Sequence, residues 1–336
     1  MAGFPVHPDG VTAEWLGNVL GRPVDAVRWE PIGTGQVGDS VRFHFASEGA
    51  ERTLAGKFPA ADTASRNTAA MLGLYRKEVE FYRSAAALLE VRVPQIFFAE
   101  VDETGSDFFL LFEDVGPARQ GDQISSCSIA DARAAMSQAA AIHGPSWGRQ
   151  DLLEASWVAP PPDLRAKLRV MYAQAQAVFR DRYAETLEPE YMRICDDLAD
   201  ASTEWFERDA PTQCLVHGDF RLDNLMFDPQ TQKVLAIVDW ELSTLGHPYA
   251  DLAYQCMQWR LPTSGQLSGL AGVDRHAVGI PTEEEYVAQY CQRMGIGKID
   301  NWPFYLVFSF FRLAAILQGV KKRAVDGNAS SQEAME

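Results

Sequence analysis

The 336-residue chain has no C-x-x-C pair, and its five cysteines (Cys127, Cys195, Cys214, Cys256, Cys291) are odd in number and widely spread. A disulfide framework and a cysteine zinc site are both excluded on that pattern. There is no H-E-x-x-H, and the six histidines show no zinc-ligand spacing. The longest apolar run, residues 304–317, is broken by Arg312. It falls short of the about 20 apolar residues that a membrane span needs. The opening MAGFPVHPDG has neither the basic nor the apolar region of a signal peptide, so the chain reads as cytoplasmic. Positive charge is scarce: 30 Lys and Arg against 46 Asp and Glu leave a net charge of −16. Such a balance argues against non-specific nucleic-acid or anionic-membrane binding, and nothing calls for an obligate protein partner. No internal repeat or low-complexity block occurs.

What is present is ordinary for a folded protein, with 47% hydrophobic and 23% charged residues. The length suits one large domain or a two-lobed unit sharing one cleft. A short helix is expected over 12–20, with Thr12 as its N-cap. Strand patterns over 27–32 and 41–45 bracket the glycine stretch Gly33-Thr-Gly35-Gln-Val-Gly38, and a third strand ends at Leu54-Ala-Gly-Lys57-Phe58. A long helix is expected over 66–89, then strands over 95–101 and 108–114. Beyond Gly116-Pro117 helical patterns dominate: 129–143, 164–183, 188–208, 248–259, 282–294 and 301–322. Short strands intervene at 214–216, 225–227 and 234–238. Thr282 and Glu285 form a capping box at the start of one of these helices. The expected architecture is α+β, a small sheet-rich lobe over 1–115 and a larger helical lobe over 116–325. The small, polar tail 326–336 is expected to be disordered.

The chemistry concentrates in His217-Gly-Asp219-Phe-Arg221-Leu-Asp-Asn224-Leu-Met-Phe227, followed by Ile237-Val-Asp239-Trp240. Asp219 and Asn224 lie five apart between short apolar strands, and Asp239 ends the next strand. A hairpin can bring these three oxygen-bearing side chains to one point. That set suits phosphoryl transfer, with one carboxylate orienting an acceptor hydroxyl while Asn and Asp oxygens hold Mg²⁺. Singly, Asp219 and Asn224 could serve only as turn formers; the joint spacing favours chemistry.

H-G-D-x-x-x-x-N followed by V-D-W resembles the catalytic core of the aminoglycoside phosphotransferase and choline kinase superfamily, which shares the protein kinase-like two-lobed fold. Residues 58–61, 77–82 and 118–123 look closer still to the ecdysteroid kinase-like branch. The resemblance covers residues 31–259 and, more loosely, the residues beyond 259. It implies ATP and Mg²⁺ as cofactors and a small-molecule hydroxyl as the acceptor. It assigns Asp219 as catalytic base and Arg221 as a neutraliser of phosphoryl charge, with Asn224 and Asp239 as metal ligands. Lys57 would position the nucleotide phosphates, fixed by Glu78, with Glu80 as the alternative two positions on. Gly33, Gly35 and Gly38 would form the loop over the phosphates. A G-x-G-x-x-G string also opens dinucleotide-binding folds, but there a helix follows. Here residues 41–45 alternate like a strand, so a hairpin is expected. Val41 comes three residues after Gly38, one later than in protein kinases. Glu113 falls where the family's hinge meets adenine. Asp251 resembles the buried aspartate that braces the catalytic loop, His143 and His217 read as packing histidines, and His247 stands where relatives often carry Asp.

Three functions compete: a small-molecule kinase, a protein kinase and a nucleotide-binding pseudokinase. Only eleven residues separate Asp239 from Asp251, with no Ala-Pro-Glu element, which leaves little room for a peptide-docking activation segment. About seventy residues of helical character lie between His143 and His217. The family uses an insertion there to wall a small-molecule pocket. A pseudokinase ordinarily loses a lysine, base or metal position, and all are present. The acceptor stays open among a polycyclic alcohol such as a steroid, an amino alcohol such as choline, an aminoglycoside and a hydroxyacyl thioester. The aromatic run 302–311 could line an apolar pocket or simply pack a helix.

Overall fold

The computed structural model describes residues 3–325, apart from 35–36, 122–127, 160–162, 208–213, 264–268, 276 and 278–279. Gly35, Cys127 and the tail 326–336 therefore lie outside the described residues. The chain divides into two compact units, Met1–Val158 with Gln213–Glu336, and Ala159–Thr212.

The first unit opens with α1 (Ala13–Leu20), whose Thr12 hydroxyl accepts from the Trp15 amide at 3.1 Å. Next come β1 (Asp25–Thr34), β2 (Gly38–Ser47) and β3 (Ala50–Pro59). Strand alternation fixes their faces. Val41, Phe43 and Phe45 of β2 are buried with Val11, Leu16, Leu54, Phe58, Phe109 and Leu111. Ser40, Arg42 and His44 take the opposite face. Each fully buried Phe or Leu of this core contributes about 1.5–3 kcal/mol. Gly56 is required by close approach, because a Cβ there would stand 2.7 Å from the Phe43 ring.

The stretch 66–89 is not the single helix that its pattern suggests. α2 (Thr63–Leu72) stops at Gly73, which adopts φ 67° and caps the carbonyls of Ala69 and Ala70 with its amide. A left-handed residue at a helix end costs glycine nothing, and the chain turns there. α3 (Leu74–Glu80) then runs into a π-helical turn, Phe81–Ala85, and a short 3-10 turn, Ala86–Leu88. The turn at Gly73 leaves Tyr75, Glu78 and Val79 of α3 buried. β4 (Ile96–Val101) and β5 (Phe108–Glu113) complete a sheet in the order β1-β2-β3-β5-β4.

β6 (Arg119–Gln120) leads to α4 (Ile129–Ser146), which starts on a capping box of Ser128 and Asp131, and to α5 (Gln150–Leu153). The second unit contains α6 (Leu164–Tyr183) and α7 (Pro189–Glu207), linked by the Arg180–Asp196 ion pair at 2.6 Å. Back in the first unit, β7 (Cys214–Val216), β8 (Leu225–Phe227), β9 (Val234–Ile237) and β10 (Thr244–Gly246) follow. β8 pairs with both β6 and β9, and β10 pairs with β7. β6 has two residues, and β10, Thr244-Leu-Gly246, lacks the apolar run that marks β7 and β8, so neither leaves a pattern in the sequence. α8 (Tyr249–Met257), α9 (Glu283–Met294) and α10 (Trp302–Val325) end the described chain. The capping box of Thr282 and Glu285 forms as expected. Cys195, Cys214, Cys256 and Cys291 are free thiols. Among the described residues, no helix is long and apolar enough to cross a membrane.

Candidate active site

A cavity of about 610 Å³ is bounded by the β1–β2 hairpin, β3, α3, the segment after β5, and the loops around β8 and β9. Gly38, Lys57, Glu78, Glu113, Asn224 and Asp239 all line it, so residues far apart in sequence meet at one place. Gly33 stands at the end of β1, paired with Ser40 of β2. The Gly38–Lys57 contact is tight, since a Cβ on Gly38 would lie 3.1 Å from the lysine Cε.

Lys57 is the hub. Its Nζ donates to Glu78 Oε2 at 2.7 Å, to Asp239 Oδ1 at 2.8 Å and to Glu241 Oε2 at 3.0 Å. Glu80 instead meets Arg83 at 3.4 Å, so Glu78 is the glutamate that reaches the lysine. Burial works against the Lys57 ammonium, but Asp239, Glu78 and Glu241 outweigh it and raise its pKa well above the ordinary value. Burial lifts Glu78 to about 7 despite the neighbouring lysine, with Asp239 and Glu241 adding to the rise. The lysine charge holds Asp239 below its ordinary value against the cost of burial. Three carboxylates around one ammonium leave the site acid-rich, which favours a further cation beside bound phosphate.

Glu241 is absent from the set that the sequence suggests. Its signal is the spacing Asp239-Trp-Glu241, which a single 3-10 turn (Trp240–Leu242) folds so that both carboxylates face Lys57. Among the described residues, oxygens of Glu78, Asp239 and Glu241 lie within 4.8 Å of one another, a spacing that could hold a metal ion. The turn is anchored by Trp240, which is fully buried, donates its Nε1–H to Ile237 O at 3.1 Å, and stacks on Phe81 at 3.8 Å. Phe81 directly follows α3, so that stack also fixes the helix bearing Glu78. Asp239 itself adopts φ 68°, ψ 59°, a left-handed conformation costing a non-glycine residue about 1–2 kcal/mol. The buried tryptophan holds that strain in place.

On the other side, Asn224 Nδ2 donates to Asp219 O at 2.9 Å and to Asp219 Oδ2 at 3.1 Å. With the amide nitrogen spent on Asp219, the amide oxygen is the atom that can meet a cation. Arg221 Nε reaches Asp219 Oδ1 at 3.1 Å, and Arg221 Nη1 reaches Asp223 Oδ2 at 3.2 Å. Hard oxygen donors on Asn224, Asp239 and Glu241, facing one cavity, fit Mg²⁺. His217 carries no free role: its Nε2 lies 3.0 Å from Val238 O, and its Nδ1 accepts from the Asp219 amide at 3.3 Å. Asp251 takes the amides of His217 (2.7 Å) and Gly218 (2.9 Å) on its two oxygens. His143 is buried between Asp251 Oδ2 (3.2 Å) and Tyr290 Oη (2.8 Å). His247 stacks on Tyr305 at 5.0 Å, and burial pushes its pKa down to about 4, so it packs as a neutral ring.

The Glu113 carboxylate is engaged by Arg92 Nη2 at 2.6 Å and by the Gln95 amide at 3.2 Å. Its backbone amide also donates to Gln95 O at 2.8 Å, so neither the side chain nor the N–H of Glu113 is free to meet a base. Arg42 crosses from β2 to Asp114 with bonds of 2.6 and 3.2 Å, tying the hairpin to the segment after β5. Tyr75 of α3 ties the same hairpin, accepting from the Ala60 amide at 3.2 Å and donating to Val37 O.

A sheet-rich lobe carrying a buried lysine, joined to a helical lobe, defines the α+β, protein kinase-like class. Within it, the chain belongs to the phosphotransferase enzyme family (APH), whose model matches residues 49–292. A candidate aminoglycoside phosphotransferase from Ralstonia eutropha JMP134 is 31% identical with a TM-score of 0.65, over 92% of this chain and 87% of that one. The GDP complex of an aminoglycoside 2′-phosphotransferase-IIIa F108L mutant shares the fold at 16% identity and TM-score 0.56, over 92% of this chain and 89% of that one. Among curated proteins, acyl-CoA dehydrogenase family member 10 of Mus musculus is 56% identical over 137 residues, 40% of this chain. Acyl-CoA dehydrogenase family member 11 of Rattus norvegicus is 42% identical over 139 residues, again 40% of this chain. The matched segments span only 13% and 18% of those two relatives.

Proposed function

We propose that the protein is an ATP- and Mg²⁺-dependent phosphotransferase that moves the γ-phosphoryl group of ATP to a hydroxyl of a small molecule. The observation that carries this reading is Lys57, held among Glu78, Asp239 and Glu241 in the cavity that Asn224 also lines. On this reading, residues 1–115 form the nucleotide lobe and residues 116–325 the catalytic and substrate lobe. Lys57, set by Glu78, would bind the α- and β-phosphates, with the hairpin from Gly33 to Gly38 covering them. Asn224, Asp239 and Glu241 would hold Mg²⁺, which when bound neutralises charge on the phosphate oxygens.

Asp219 would orient the acceptor hydroxyl and accept its proton. The acceptor oxygen forms the new O–P bond as the bond from γ-phosphorus to the β,γ-bridging oxygen breaks, and ADP leaves with that electron pair. Arg221, close to Asp219, would offset charge on the transferring group. The transition state is loose, so positioning matters more than proton removal. Among the acceptors left open by the sequence, the relatives named for acyl-CoA dehydrogenases favour a hydroxyacyl thioester.

The test is Mg²⁺-dependent stabilisation by ATP in a thermal-shift assay, followed by ADP release with a panel of hydroxyacyl thioesters, aminoglycosides, amino alcohols and sterols. Absence of Mg²⁺-dependent ATP binding would overturn the reading. Binding without turnover of any acceptor, or of water, would favour a pseudokinase.

A further inference from the structure

The peptide that precedes Asp219 is gripped at both ends. Gly218 adopts φ 83°, and a Cβ there would lie 2.3 Å from Leu242 O, so the backbone passes through a narrow gap. The Gly218 amide donates to Asp251 Oδ1 at 2.9 Å. Its carbonyl accepts from Arg312 Nη2 at 2.8 Å. Arg312 stands on α10, 94 residues further along the chain. Its guanidinium also lies 5.0 Å above the ring of Tyr254, a distance at which a cation and an aromatic face attract.

Tyr254 makes the second link. It is buried on α8, 6% exposed, in an apolar seam with Met257 and Leu313 that Phe310 and Leu261 flank. Burial raises the pKa of its phenol, and the charge of the nearby Asp219 carboxylate raises it further. Arg312 thus holds the loop backbone directly at the Gly218 carbonyl and packs on Tyr254, whose phenol feels the Asp219 charge. Neither Arg312 nor Tyr254 lines the cavity assigned to the nucleotide.

We propose that Arg312 and Tyr254 are positioning residues for phosphoryl transfer, with α10 setting the direction of the Asp219 carboxylate by holding Gly218 and Tyr254. The proposal rests on the phosphotransferase reading and adds α10 to its machinery. A displacement of a reacting group by about 1 Å can cost a hundredfold in rate. The loss should therefore fall on kcat and not on nucleotide binding.

The experiment compares wild type with Arg312→Ala, Arg312→Lys and Tyr254→Phe in the full chain. ADP release is read with the best acceptor of the panel, or with water if none turns over. Arg312→Ala and Tyr254→Phe should lower kcat about ten- to a hundredfold with the KM for ATP within about twofold of wild type. Arg312→Lys should recover part of the loss. Hydrogen exchange at the amides of residues 217–219 should speed up in Arg312→Ala, and this readout needs no turnover. Unchanged kcat and unchanged exchange in folded variants would overturn the proposal, as would a loss confined to the KM for ATP. If Arg312→Ala does not fold, Arg312→Lys and Tyr254→Phe carry both readouts. Should wild type release no ADP at all, the phosphotransferase reading fails, and the exchange measurement still decides whether α10 clamps the loop.

Discussion

Two charge clusters meet at the cavity and are built in opposite ways, the second reaching it through Asp223 and Asn224 while Asp219 and Arg221 do not line it. Around Lys57, the partners Glu78, Asp239 and Glu241 come from α3 and from the turn after β9, up to 184 residues away in sequence. Around Asp219, Arg221 and Asn224 come from the same short loop, within five residues. In the first cluster Lys57 and Glu78 are buried, 8% and 1% exposed, Asp239 is half-buried, and acid outnumbers base. The second has one guanidinium, Arg221, shared by two carboxylates, Asp219 and Asp223, with the neutral Asn224 amide as a further donor, so its excess of acid is smaller. A buried cluster with surplus negative charge is costly on its own and is relieved by an added cation. A self-satisfied loop is pre-set and needs only a reactant. Nucleotide and metal affinity should therefore depend on the Lys57 side, and turnover on the Asp219 side.

Mutating one side at a time tests that division. The largest effect is expected from Asp239→Ala, which removes a Lys57 partner and a proposed metal ligand together. Mg·ATP-dependent turnover should fall by about three decades or more, checked by ADP release at saturating nucleotide. Next is Asp219→Asn, for which kcat should drop by about two or more decades with the Kd for Mg·ATP unchanged by calorimetry. Wild-type turnover by Asp219→Asn would remove the base assignment. A weaker nucleotide affinity in that variant would break the division between the two sides.

Smaller shifts are expected from Glu241→Gln. Mg·ATP affinity should weaken by about tenfold, because a charged oxygen donor is lost. Affinity for ATP without Mg²⁺ should rise, because one competitor for Lys57 is gone. Two titrations, with and without Mg²⁺, read both signs, and the same sign in both would exclude Glu241 from the metal set. The remaining test reads pH and stability rather than turnover. Glu78 is raised from 4.5 to about 7, so its stabilising contribution is full below 4.5 and is lost as pH rises through about 7. Melting temperatures across that window should show wild type losing stability relative to Glu78→Gln as pH increases, by up to roughly 3 kcal/mol. Parallel curves for the two proteins would mean that Glu78 titrates in its ordinary range.

The sequence by itself determined most of the elements and the local half of the site. Helix starts at Thr12 and Thr282 are written in capping side chains. The strand edges around Cys214–Val216 and Leu225–Phe227 are written in short apolar runs between polar turns. The Asp219–Asn224 contact was legible because the two lie five apart in one short loop between β7 and β8, which leaves their side chains few other places to be. The break at Gly73 was not, since an isolated glycine inside a helical pattern is often tolerated and only packing shows when it takes φ 67°.

Tertiary structure settled who surrounds Lys57: the resemblance already offered Glu78 with Glu80 as its alternative, and packing chose Glu78 and added Asp239 and Glu241. A glutamate two positions from another, or a carboxylate two positions beyond an aspartate, has no sequence mark that says which way it faces. The Trp240–Phe81 stack turns Asp239 and Glu241 toward the lysine, and the turn at Gly73 sets the face of α3 that carries Glu78. The link from Arg312 to Gly218 is of the same kind, a long-range contact fixed by the apolar seam between α8 and α10. Local chemistry is encoded in spacing along the chain. Contacts across it are encoded only in how buried surfaces pack.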